Sequence, residues 1–233
     1  MTRLFAKKLT HIVDNFQEIL AVRIAALQIL GKIGTEAVVD TIIKNLRREI
    51  GIQRSHSFIL IAFRALGNIA HPKALGFLQS QLKRLEKRKL LWRHNYANKV
   101  FNKNSWDYSQ WETELGYAIA QIDPEQAGIK LLAHKLAEVR KGAWLAIGKI
   151  GDIAIVKDLI QQRRVSKRNQ THFRHATYRA IDKSLITIEV HGDEQDLKVL
   201  KELKPEVKHI GIQDRLQWTI YQLEDKLEKI ILK

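Results

Sequence analysis

The chain of 233 residues has no cysteine, only three prolines and a single methionine. Without cysteine there can be no disulfide and no thiolate metal site. So few prolines leave long segments free to be helical. Long apolar runs are missing too: the strongest, Phe58 to Phe63, is far too short to span a bilayer. The opening residues, MTRLFAKKLTHIV, lack the apolar segment of a signal peptide. A soluble, cytoplasmic protein is therefore expected, with no membrane partner. Acids are the minority charge, with 25 Asp and Glu against 40 Lys and Arg, a formal net charge of +15. Such an excess suits a polyanionic partner: nucleic acid, a lipid surface or an acidic protein.

What the chain has is a hydrophobic fraction of 45%, ample for a core, arranged with a 3.6-residue period. An all-α class follows. Val139 to Ile160 reads VRKGAWLAIGKIGDIAIVKDLI, an amphipathic helix, a Gly-Asp turn and a second amphipathic helix. Val22 to Leu46 reads VRIAALQILGKIGTEAVVDTIIKNL, and seven of its first thirteen residues are identical to those of the later stretch. Two helical hairpins this alike indicate a repeat architecture. Weaker copies stand at 58–82 and 111–136, and the weakest at 172–203. Turn-proximal positions Gly31, Gly67, Ala120, Gly148 and Asp182 are 36, 53, 28 and 34 apart; the outlier marks an insertion after the second repeat.

Details of the helices can be anticipated. Residues 2–15 form a capping helix, and a closing helix runs from about Gln213 to Leu232. Gly34 is expected as a left-handed residue that stops the first repeat's helix A. His71-Pro72 and Asp123-Pro124 make turns, each proline opening the next helix. Glu194 to Leu203 is helix B of the last repeat. Ile186 to Val190, just before it, is β-branched enough to compete with helix.

The pattern Val-Arg-x-x-Ala-x-x-x-Ile/Leu-Gly-Lys-Ile-Gly-Asp/Thr resembles the HEAT repeat. It is most similar to the short subtype of bacterial HEAT-like proteins, which includes phycobilisome lyase subunits. The resemblance implies a right-handed α-solenoid (superhelix) of five to six HEAT-like helix pairs, a single domain over 1–233 with an insertion at about 83–110. It also implies a binding scaffold, with Arg23 and Arg140 hydrogen-bonded toward the next repeat in a structural role. Independently of it, Ala26, Gly31, Ala143 and Gly148 are small enough to let helices A and B of a pair approach closely.

In a helix-pair solenoid the connections from helix B to the next helix A share one edge, and three of them are basic. Residues 47–56 carry Arg47, Arg48 and Arg54, a net of +2; residues 83–110 carry Lys83, Arg84, Lys87, Arg88, Lys89, Arg93, Lys99 and Lys103, a net of +6; residues 163–175 carry Arg163, Arg164, Lys167, Arg168 and Arg174, a net of +5. The rest of the chain is nearly balanced. Trp92, Tyr96, Phe101, Trp106, Tyr108 and Trp111 are interleaved with cations in the insertion. Aromatics there can stack bases, Trp92 and Trp106 being the candidates, or they can form the insertion's own small core.

No phosphate loop, nucleophile elbow or metal motif is present, and no cofactor is implied. His172 and His175 have a chelating spacing without a third ligand and are read as part of the basic surface. Ser105-Trp106-Asp107 is similar to the Trp and catalytic Asp of HEAT-like glycosylases that excise alkylated bases, over three residues. A bilin-lyase-like role is implied by the repeat subtype alone. The reading is a non-catalytic scaffold with no catalytic, cofactor or metal site, which binds nucleic acid through its backbone or, alternatively, an acidic protein, as a possible subunit of a larger complex.

Overall fold

The computed structural model describes residues 2–52, 55–96, 108–165 and 171–231. Among these it contains twelve α-helices and no strand. They are α1 (Thr2–Asp14), α2 (Leu20–Ile33), α3 (Glu36–Ile52), α4 (His56–Ile69), α5 (Leu75–Tyr96), α6 (Ser109–Ile122), α7 (Ile129–Leu132), α8 (Ala137–Ile150), α9 (Ile153–Val165), α10 (Thr171–His191), α11 (Glu194–Leu203) and α12 (Ile210–Ile231). Along the chain they form five pairs, flanked by α1 and α12. Two compact units are present, Met1–Asp123 and Pro124–Lys233, and the boundary falls at the turn of the third pair.

In the first unit α2, α4 and α6 stack in sequence, with α1 packed on α2 and α3. α3 lies against α4, and α5 against α6. The core stripe of α3 is Val38, Val39, Ile42, Ile43 and Leu46, as the 3.6 period requires. Leu27 and Leu30 of α2 and Ile59, Phe63 and Leu66 of α4 are fully buried in the same unit. Each such side chain contributes about 1.5–3 kcal/mol by leaving water.

Arg23 is the exception in this core. It is 2% exposed, and its guanidinium donates to Glu49 Oε1 (2.8 Å), Asn45 Oδ1 (3.2 Å) and the Val13 carbonyl (3.1 Å). Its plane lies between the rings of Phe16 (4.5 Å) and Phe58 (4.7 Å). The hydrogen bonds therefore run to its own pair and to the helix before it; only the stacking on Phe58 reaches the next pair. Arg140 behaves alike, donating to the carbonyls of His134 (2.6 Å) and Lys135 (3.1 Å) in the turn that precedes its helix. Neither makes the expected hydrogen bond toward the following repeat: Arg140 bonds backward, and Arg23 bonds within its own pair and backward. Both guanidinium forks reach carbonyls at or just past the end of the preceding helix, where no helical N–H serves them.

The small residues also act differently from expectation. A Cβ on Gly31 would meet Ala65 Cα at 2.9 Å, and one on Gly67 would meet Ala118 Cα at 2.7 Å. Both contacts join a helix A to the next helix A. Gly34 has φ −60° and ψ 146°, not the left-handed conformation. Glycine is needed there because a Cβ would run into the Leu30 carbonyl oxygen and come within 2.6 Å of Ile69 Cγ1. Its counterpart Gly151 is left-handed, φ 64°, and its N–H returns to Ile147 O.

In the second unit α8, α10 and α12 stack. α7 packs on α8, α9 on α10 and α11, and α11 on α12. Pro124 opens a π-helical segment, Pro124–Gly128, that leads into α7. Asp193 and Asp196 form a reciprocal capping box at the start of α11. Lys226 reaches back to the Val190 and Gly192 carbonyls at the end of α10, which runs as unbroken helix through Ile186–Val190. The β-branched run gives no strand because Leu185 and Ile188 are buried by neighbouring helices, and packing overrides propensity.

Candidate anion-binding site

The predicted cations lie mostly on helices rather than in turns, because α3, α5 and α9 continue past the points where their repeats were expected to end. Arg47 and Arg48 are on α3, exposed, and each covers an aromatic ring: Arg47 sits 5.6 Å from the Phe77 centroid and Arg48 3.4 Å from that of Phe16. Lys83, Arg84, Lys87 and Arg88 are exposed on α5, and Arg88 donates to the Tyr108 hydroxyl at 3.4 Å. Lys89, Trp92 and Arg93 lie further along the same helix; their side chains are outside the described set. Arg54, Lys99, Lys103, Trp106, Asp107, Lys167 and Arg168 fall outside the described residues.

Trp111 belongs to the core. It is 4% exposed, packs edge-on against Phe63 and Tyr108, and donates from Nε1 to His56 Nδ1 at 3.0 Å. His172 and His175 are exposed on the first turns of α10. Among the described residues no cluster of three metal-ligating side chains occurs.

A cavity of about 520 Å³ in the first unit is lined by Asp40, Lys44, Arg47, Lys73 and Phe77, among others. Its charge is internally balanced in part. Lys73 Nζ donates to Asp40 at 2.5 Å, which holds the ammonium above its ordinary pKa.

The second unit is different. Arg163 and Arg164 in the last turn of α9, Arg174 near the start of α10, and Lys208 and His209 just ahead of α12 line one cavity of about 490 Å³. Its apolar wall is Ile160, Val207 and Ile212, each nearly buried. No carboxylate lines it among the described residues. The cations crowd one another there. Burial first, and then the charge of Arg174, push the Arg163 guanidinium below its ordinary pKa. Burial, Arg163 and Arg174 do the same to the His209 imidazole. The Arg174 Nε–H is shut off from solvent without a hydrogen-bond partner. The His209 ring also lies beside that of Tyr178, with centroids 6.2 Å apart and planes tilted by 52°.

Five basic side chains from three helix ends thus converge, and the first N–H groups of α12 lie beside them, the end of a helix that favours negative charge. Guanidinium and ammonium groups are the side chains that form charge-assisted hydrogen bonds with oxyanions. Arg163, Arg164 and Arg174 were legible in the sequence as a basic connection. Lys208 and His209 were not singled out, although they occupy the next connection of the same kind, between α11 and α12.

A family model for the PBS lyase HEAT-like repeat matches residues 22–48. The chain carries a HEAT-like repeat. The matched segment contains most of α2 and most of α3, the pair that holds Arg23 in its core. No curated protein matches the chain. A HEAT-like repeat supports a repeat scaffold in general, and the repeated stacking of helix pairs within each unit agrees with it. No helix among the described residues is long and apolar enough to cross a membrane.

Proposed function

We propose that this HEAT-like protein is a non-catalytic scaffold that holds a polyanion, nucleic acid gripped by its phosphate backbone. The observation that carries the reading is the cavity of Arg163, Arg164, Arg174, Lys208 and His209, where cations converge without a lining acid. A generic solubilising surface disperses its charges and interleaves signs, as the Lys73–Asp40 pair does on the first unit. Crowding cations against an apolar wall is unfavourable unless an anion relieves it. The exposed face of α5, with Lys83, Arg84, Lys87 and Arg88, supplies a second phosphate-directed surface on the first unit. Contacts of this kind position a strand without reading its sequence.

The test is binding to single- and double-stranded DNA and RNA across a salt titration. Engagement of about six to ten phosphates gives a log–log slope of about −5 to −9. Charge reversal at Arg88 and Arg164 weakens binding for all sequences alike, and charge reversal at Arg93 and Arg168 extends the series. A slope near zero, or no binding at low salt, overturns the reading. Capture of an acidic protein with no nucleic-acid affinity replaces it with a protein–protein scaffold.

A further inference from the structure

We propose that the second unit's cavity takes the terminal phosphate monoester of a nucleic-acid strand, rather than an internal phosphodiester. The proposal rests on the nucleic-acid reading and assigns the chemistry of that one site.

Three observations favour a strand end. The first is charge. Arg163, Arg164, Arg174 and Lys208 provide four cations in one cavity, with His209 beside them and no lining carboxylate among the described residues. An internal phosphodiester carries one negative charge, whereas a phosphate monoester carries about −1.5 to −2 near neutrality and three acceptor oxygens. Only the monoester has enough charge and enough acceptors to use a site of this density. The Arg174 Nε–H is buried and has no hydrogen-bond partner among the described residues.

The second observation is shape. A continuous backbone lies across an exposed basic face, as α5 offers in the first unit. A cavity of about 490 Å³ instead admits a group that stops inside it. Ile160, Val207 and Ile212 exclude water from one side, which strengthens each charge-assisted bond to the bound group.

The third is the rim. His209 lines the cavity and the Tyr178 ring lies 6.2 Å from it, tilted by 52°, so a base attached to the bound phosphate has an aromatic surface within reach. Phosphate contacts together with a stacking surface favour a nucleotide end over a bare inorganic ion.

The experiment compares oligonucleotides of one sequence carrying a 5′-phosphate, a 3′-phosphate or hydroxyls at both ends, with the full chain as the receptor. The expected result is binding about tenfold tighter for one phosphorylated end than for the hydroxyl strand, the size of a single additional charge-assisted contact set. Arg174→Gln and Lys208→Gln each abolish the preference, weakening the phosphorylated strand by more than the hydroxyl strand, and both variants keep the wild-type helical circular dichroism. Inorganic phosphate competes away the preference at concentrations that leave hydroxyl-strand binding intact. Arg88→Gln, in the first unit, weakens all three strands equally.

Equal affinity for all strands, or a preference that survives Arg174→Gln, overturns the assignment while the backbone-binding reading stands. Absence of binding to every oligonucleotide overturns both.

Discussion

A methyl group on Gly67 would come 2.7 Å from the Cα of Ala118, so α4 and α6 meet backbone to backbone. Gly31 repeats the relationship against Ala65, at 2.9 Å. The repeat's glycine is thus a spacer between successive A helices in the stack, and the first unit depends on it twice.

Gly67→Ala or Gly31→Ala is therefore expected to destabilise by about 1–3 kcal/mol, because the atom met is main chain and cannot swing aside. Gly51 in α3 and Gly76 in α5 lie in helices with open space, nothing within 4 Å, where a methyl group would stand. Gly51→Ala and Gly76→Ala should instead stabilise by up to about 1 kcal/mol through helix propensity. Urea midpoints of the four variants check the opposite signs.

Arg23 and Glu49 form an ion pair almost wholly inside the first unit, with Glu49 Oε2 left without a partner. Arg23→Leu leaves that carboxylate buried and uncompensated, at a cost of about 3–5 kcal/mol. The double variant Arg23→Leu/Glu49→Leu should recover most of the loss, since two apolar residues fill the space without a stranded charge. A double-mutant cycle by chemical denaturation measures the recovery; a purely additive result refutes the pairing.

Ala70 ends α4 in the left-handed region at φ 53°, with its N–H shared between Leu66 O and Gly67 O. A side chain there costs about 1–2 kcal/mol. Ala70→Gly relieves this against a smaller loss of unfolded-state restraint, for a net gain of about 0.5–1 kcal/mol. Thermal unfolding at fixed protein concentration reads the gain.

His209 titrates below the ordinary histidine range because of burial, Arg163 and Arg174. Lys208 lines the same cavity, and the Tyr178 ring lies beside the imidazole, tilted by 52°. Its folded pKa is depressed, so the unfolded chain takes the proton first. The stability this group confers is present above the unfolded value, and it is lost as pH falls toward the folded one. Arg174→Ala should move the imidazole titration, followed by NMR of the ring protons, upward toward its ordinary value. Saturating phosphate should move it the same way, since a bound anion favours the imidazolium. No movement in either case argues against the convergence of charge at this cavity.

Much of the helix pattern was legible. Helix α11 begins and ends at Glu194 and Leu203 as expected, and α1, α2 and α12 fall within a few residues of their predicted limits. Helices α3, α5 and α9 run further than their repeat pattern suggests, through cationic stretches that resemble turns in sequence. Lysine and arginine are good helix formers, and their stems cover neighbours such as Phe77 and Phe16 while the charge stays in water. The site was half legible. Arg163, Arg164 and Arg174 announced themselves as a cluster along the chain, whereas Lys208 and His209 sit among acids and apolar residues that hide them.

The sequence by itself determined that the chain is helical, that its helices come in pairs, and that its charge is basic and clustered. These properties are local: a 3.6-residue period, a repeated hairpin and a run of cations are each visible within a few turns. Only the tertiary structure decided that Arg23 points inward to Glu49, that Gly34 lies tight against Ile69 as well as the Leu30 carbonyl, and that three helix ends bring five basic groups to one cavity. Those outcomes depend on which faces meet when the helices stack, and residues far apart in sequence become neighbours only then.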